Sequence, residues 1–335
     1  MIKRLESIRE KVETLRNSTI QRGYNTGFKG LDEIYSIKEG SYTFILGSPT
    51  HGKSEFIFEL LVNQMKQGRR SLIYSPETGS VEEIIAELIH KITGKSAYKS
   101  NPFHCEDKEF QQTLTMIDWF FLIVDSEDKA FSIKELFDMV DKFEKEHRDE
   151  VIDFIMAEPY NEIKHDMASF NGRQDLYIEE FVGDIRRYCK KTKKHAFISL
   201  HPTSQQLVNP GKEAYYPKPL PREAAGGQAL FRKAMAWITI WRPPAGLDNG
   251  RGGCYEENEV QISIDKAKPK GVATKGETTM YFDWKKNRYF ERINDVNKYA
   301  YEHQNVEVIP EDKPASALQP SQLFDKVHNP SDAPF

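Results

Sequence analysis

The stretch from residue 41 to 67, SYTFILGSPTHGKSEFIFELLVNQMKQ, carries the strongest chemical signal in the chain. Within it, Gly47-Ser48-Pro49-Thr50-His51-Gly52-Lys53-Ser54 fits G-x-x-x-x-G-K-[ST] at every fixed position. The glycines let consecutive backbone N–H groups curl around a polyphosphate, and a helix that follows turns its positive dipole end toward that charge. In such a loop the lysine, here Lys53, reaches the β- and γ-phosphates and the hydroxyl, here Ser54, ligates Mg²⁺. An apolar run over 42–46 and an amphipathic stretch with Phe56, Leu60, Leu61 and Met65 predict the strand–loop–helix frame that the pattern needs. These residues predict a site for ATP, or a close relative, with Mg²⁺.

Such a loop implies binding, not hydrolysis. Hydrolysis needs an acid on the Mg²⁺ shell and a carboxylate that orients the attacking water. In a parallel sheet these acids belong at the C-terminal ends of strands, beside the loop. Glu77, Asp125 and Glu158 each follow an apolar run and fit that place, and by pattern alone Asp125 is the cleanest match. Asp153 has two apolar residues ahead of it and reads as a strand entry, because mid-strand it would be a costly buried charge.

The elements that must hold these residues alternate. Strands are predicted at 42–46, 71–75, 119–124, 154–157, 196–200 and 237–241, and helices near 54–67, 81–92, 132–147 and 174–194. Two helices open with capping boxes, Ser80 with Glu83 and Ser132 with Glu135. The alternation predicts an α/β fold, a mostly parallel twisted sheet with helices on both faces. Runs at 259–264 and 278–282 predict an antiparallel edge hairpin. The chain divides into an amphipathic N-terminal linker helix (1–24), with Ile2, Leu5, Ile8, Val12 and Leu15 on one face, a central domain (25–300), and a Pro- and Ser-rich tail (308–335) expected to be disordered.

Composition excludes several classes. The chain has 335 residues, 39% hydrophobic and 29% charged, as a soluble globular protein does. It lacks an apolar run long enough to cross a membrane, and its charged N-terminus does not read as a signal peptide. Cys105, Cys189 and Cys254 lie far apart without metal-ligand spacing and predict reduced thiols in a cytoplasm, bacterial or that of a phage-infected host. A net charge of −4 argues against a basic coat, yet a local basic lining suffices for nucleic acid.

Taken in order, the motifs resemble the RecA-like motor domain of DnaB- and Twinkle-type replicative helicases, in particular the forms common in phages, over about residues 25 to 290. Thr26-Gly27-Phe28-Lys29-Gly30-Leu31-Asp32 is similar to the family's lead-in to its phosphate loop. Ser75-Pro76-Glu77 resembles the motif whose glutamate polarises the attacking water, and Ala157-Glu158-Pro159-Tyr160-Asn161-Glu162 resembles the metal-acid motif Asp-Pro-Trp-Asn-Glu. The resemblance therefore implies that Glu158, not Asp125, is the metal acid, with Glu in place of Asp. His201 stands where a polar strand end senses the γ-phosphate, Gly226-Gly227-Gln228 resembles the pair that closes the DNA loop, and Arg242 ends the next strand as a family arginine does. Lys266 and Lys268 are similar to the Lys-x-Arg element that enters the neighbouring subunit's ATP site, with lysine, a point charge, replacing the planar arginine.

This resemblance implies an ATPase and ring-forming helicase or translocase on single-stranded DNA, a homo-oligomer, hexameric by family, moving 5′ to 3′. The aperiodic segment 202–225 is long enough to be functional, with Lys212, Lys218 and Arg222 as its phosphate contacts. A tail ending in Asp332-Ala333-Pro334-Phe335 suits a basic-rimmed apolar pocket on a replisome partner. The alternative is a non-motor protein switched by ATP: a RecA-type filament former, a helicase loader or a scaffold.

Overall fold

The computed structural model describes residues 4–17, 23–203, 205–208, 214–269 and 273–302. Ten strands form one sheet in the order β10-β9-β8-β7-β6-β1-β5-β4-β2-β3. Six of them are parallel: β1 (Ser41–Leu46), β2 (Arg70–Tyr74), β3 (Phe121–Ile123), β4 (Ile152–Ala157), β5 (His195–Leu200) and β6 (Ala236–Trp241). The rest, β7 (Glu259–Ala267), β8 (Gly276–Asp283), β9 (Arg288–Ile293) and β10 (Val296–Tyr299), extend it antiparallel beyond β6. β1, β5 and β6 are buried at every position, as strands covered on both faces must be.

Helices α2 (Lys29–Ile34), α3 (Lys53–Met65), α4 (Val81–Thr93) and α5 (Asp107–Phe120) cover one face, where Ile45 of β1 points. Helices α6 (Ile133–Glu146), α7 (Gln174–Thr192) and α8 (Gly227–Lys233) cover the other, where Phe44 and Leu46 point. Strand alternation thus divides one sequence run between two cores. Both predicted capping boxes are present: the Ser80 and Ser132 hydroxyls accept from the N–H groups of Glu83 and Glu135, whose carboxylates accept in return. Ahead of the domain, a 3₁₀ turn (Leu5–Ser7) and α1 (Arg9–Asn17) leave Leu5 and Val12 exposed.

Two expectations change. The strand expected over 119–124 is three residues long, because Trp119 and Phe120 complete α5, whose buried face runs Thr113, Met116, Ile117, Phe120 at helical spacing. The edge hairpin is half of a four-stranded antiparallel extension. Asp153 is the second residue of β4, half-buried, and its Oδ2 accepts from the Arg70 N–H at 3.1 Å.

That extension is fastened to α3 by charge. The Glu59 carboxylate, fully buried on α3, accepts from Arg288 Nε at 2.8 and 3.0 Å and from the Tyr289 N–H at 3.2 Å. One turn earlier Glu55 meets the buried Lys91 of α4 at 2.6 Å, and Lys91 also donates to the Asn287 carbonyl at 2.9 Å. A buried ion that loses its partner costs far more than the pair is worth. Glu59→Ala, which strands the Arg288 guanidinium, is therefore expected to destabilise the domain by about 3–5 kcal/mol in urea unfolding. Replacing Glu59 and Arg288 together by methionine should recover most of that loss.

Candidate nucleotide site

Strand β1 ends at Leu46 and the chain turns through the loop into α3 at the C-terminal edge of the sheet. Two glycines make the turn possible. A Cβ at Gly47 would sit 2.9 Å from the Lys53 side chain and 3.0 Å from the Ile240 carbonyl. Gly52, with φ +84°, holds a left-handed backbone conformation, and a Cβ there would sit 2.6 Å from the Tyr289 hydroxyl. Residues 47–54 thus form a cradle ahead of a 13-residue helix, the geometry that receives a polyphosphate.

Around this loop the sheet brings together residues far apart in sequence. Lys53 is nearly buried; its Nζ donates to the Ser48 carbonyl and to His201 Nδ1, both at 3.2 Å. His201, just past β5, offers Nε2 to Glu77 Oε2 at 3.0 Å. Lys53, His201 and Glu77 therefore form one chain, with Nδ1 the acceptor and Nε2–H the donor. Glu77 is half-exposed at the outer end.

Glu158 lies beneath. Its Oε1 accepts from Ser75 Oγ at 2.7 Å, and its buried Oε2 lacks a hydrogen-bond partner among the described residues. Burial pushes this carboxyl up to about 7, against the pull of Ser75, Ser54 and Lys53. An orphaned carboxylate oxygen beside the Ser54 hydroxyl is a donor set that suits a hydrated Mg²⁺. Asp125, the pattern's choice, follows β3 at the far edge of the parallel strands, four strand spacings of about 4.8 Å from β1. It is exposed and accepts from the Glu127 N–H. Sheet order, invisible in the sequence, separates it from the loop.

Arg242 follows β6 on the other flank. Its N–H donates to His51 Nδ1 at 3.4 Å, and burial, with Lys53 and Arg242 nearby, holds His51 down to about 4. The Arg242 guanidinium stacks 4.2 Å over the ring of Trp284, which is 53% exposed. Trp284 did not register in the sequence, because a tryptophan after a strand reads as core. Gln205 was also missed: its amide oxygen accepts from Ser48 Oγ, and its Nε2 donates to the Pro217 carbonyl at 2.7 Å, tying the loop to the segment that follows β5.

The remaining expected residues are dispersed. Lys266 and Lys268 lie at the opposite edge of the sheet from their own loop, since Ala267 pairs with Ala236 at the start of β6. Lys266 Nζ donates to the carbonyls of Phe231 and Arg232 at the C-terminal end of α8, a helix-capping contact. Lys268 is exposed. Lys218 is ion-paired with Glu277. Arg222 is exposed and lines a cavity of about 530 Å³ with Gln228, Phe231, Arg232, Asp265 and Lys275. Lys212 and the tail ending at Phe335 lie outside the described residues.

Burial holds the Lys53 ammonium down to about 8, with Glu158 and Glu77 pulling it back up. Bound phosphates add anionic partners and raise it further, since an opposite charge favours the charged form. Binding of a nucleoside triphosphate near pH 8.5 is therefore expected to take up protons, and the Lys53 part of that uptake vanishes toward pH 7. Titration calorimetry in two buffers of different ionisation enthalpy measures it.

No protein-family model matches the chain. By sequence it is 23% identical over 287 residues to the Twinkle homolog protein, chloroplastic/mitochondrial, of Arabidopsis thaliana, covering 78% of this chain and 35% of that protein. The chain thus spans about a third of the length of this curated relative. Among solved structures, the ATPase domain of G40P superposes with a TM-score of 0.66 at 16% identity, covering 86% of this chain and 99% of that one. A DnaB-like replicative helicase, solved to describe its interactions with primase, gives 0.66 at 17% identity, covering 85% and 67%. The chain has the RecA-like fold of these ATPase domains and is similar in sequence to a Twinkle homolog.

Proposed function

We propose that this chain is an ATP-hydrolysing motor domain, a helicase or translocase on single-stranded DNA that works as a ring, hexameric and moving 5′ to 3′ as the family its motifs resemble implies. The observation that carries this reading is the Lys53–His201–Glu77 chain, which joins the phosphate loop, a candidate water-orienting carboxylate and the start of the 202–225 segment in two hydrogen bonds. In this reading the γ-phosphate takes the Lys53 ammonium, which releases His201 from it. Glu77, half-exposed, is then placed to orient a water for in-line attack. Mg²⁺, when bound, neutralises charge on the β- and γ-phosphates; Ser54 and, through water, Glu158 would hold it.

The nucleobase finds a stacking face in the exposed Trp284 ring and the Arg242 guanidinium beside the loop. Displacement of His201, and of Gln205 from Ser48, then moves the segment that bears Lys212, Lys218 and Arg222, where DNA phosphates would bind. Arg232 and Lys275 add cations to the Arg222 cavity. Lys266 is held within its own subunit by the α8 carbonyls, so a trans contribution to a neighbour's ATP rests on Lys268.

Glu77→Gln is expected to keep ATP affinity and lose about 10²–10⁴-fold in turnover, the scale of general-base loss, whereas Asp125→Asn should hydrolyse ATP at the wild-type rate. Steady-state ATPase assays decide both. Strand displacement on a forked DNA, with assembly measured in a non-hydrolysable ATP analogue and single-stranded DNA, tests the motor. A closed ring that unwinds is expected. An open filament, or hydrolysis without unwinding, would favour a recombinase-like protein or a scaffold.

A further inference from the structure

Tyr289 lies 237 residues from the phosphate loop in sequence and touches it in space. Its hydroxyl donates to the Gly52 carbonyl at 3.1 Å, the same carbonyl that accepts the Phe56 N–H of the first turn of α3 at 2.9 Å. The ring is 1% exposed, edge-on to Phe56 with centroids 5.8 Å apart and to Phe282 at 5.0 Å. Its own N–H is held by Glu59, and Arg288 beside it is locked to the same carboxylate. Both ends of Tyr289 are therefore fixed to α3, one at the helix interior and one at its entry.

The bond matters because a trans peptide is planar, with its C=O and N–H pointing in opposite directions. A donor on the Gly52 carbonyl sets the direction of the Lys53 N–H across the same peptide plane. Gly52 sits in the left-handed region, where a glycine backbone turns with little steric restraint. The Phe56 N–H holds this carbonyl from the helix side, and the Tyr289 hydroxyl adds a second restraint from β9. Burial also raises the phenol well above its ordinary pKa, so it stays protonated and remains a donor.

We propose that Tyr289 is a positioning residue for nucleotide: by pinning the Gly52 carbonyl it aims the Lys53 N–H, at the entry of α3, into the polyphosphate cradle. This rests on reading residues 47–54 as the nucleotide site. The start of β9 becomes a tuning element for phosphate affinity, and the Glu59–Arg288 pair is the anchor from which Tyr289 reaches.

Tyr289→Phe removes the hydroxyl and keeps the ring. Binding of ADP and AMP, with Mg²⁺, is measured by titration on wild type and variant at a temperature where thermal melts show both folded. ADP affinity is expected to fall about 3–10-fold, the loss of one neutral hydrogen bond, while AMP affinity, which does not draw on a second phosphate, stays unchanged. Equal ADP affinity in the two proteins would overturn the inference alone. Equal losses for ADP and AMP would also overturn it, showing a general loss of packing. Failure of the wild type to bind ADP would overturn the site itself and this role with it.

Discussion

A carboxylate with no water around it has to find its charge inside the protein, and the partner that Glu59 finds decides much of this molecule. Arg288 reaches it from β9, outside the parallel core, so α3 is held both by the parallel strands and by the antiparallel extension of the same sheet. Replacing such a pair by apolar residues is often neutral for stability. Its value here is geometric. It sets the depth at which β9 meets α3, and that depth brings Tyr289 to Gly52 and Asn287 to Lys91.

The parallel half of the sheet does the gathering. Parallel strands all end at the same edge, so the residues following β1, β2, β4 and β5 converge there: Lys53, Glu77, Glu158 and His201. Lys53 is shared between a carbonyl and an imidazole, and one oxygen of Glu158 is held by Ser75 while the other lacks a partner among the described residues. Burial then weakens two of these charges: it lowers Lys53 and raises Glu158 toward neutrality. An anionic group beside Lys53 would favour the charged form that burial disfavours there.

Much of this was legible from residue order. The loop over 47–54 is marked by two glycines, a lysine and a serine, because a polyphosphate cradle demands those types for its backbone conformation and its ligand chemistry. The six parallel strands and both capping boxes follow from local periodicity and local hydrogen bonds. Periodicity failed at Trp119 and Phe120, where an apolar helix face runs without a break into a short strand. The antiparallel extension was half-read, since β9 mixes charged and aromatic residues whose burial depends on α3 and α2: Arg288 answers Glu59, and Glu291 accepts from the Gly30 N–H at 2.8 Å.

By itself the sequence determined the chemistry near each motif: the loop, its lysine and hydroxyl, and the acids at the ends of apolar runs. Tertiary structure decided which of those acids can meet the loop. Glu158 and Asp125 look alike in one dimension, but strand order seats Glu158 beside Ser54 and leaves Asp125 on the outer strand. It also recruited Trp284, Tyr289 and Gln205, which carry no local signature, since stacking and single hydrogen bonds depend on distances that a chain acquires when its sheet closes around α3. Local interactions are written in neighbouring residues; the order of strands is set by which faces can be buried together.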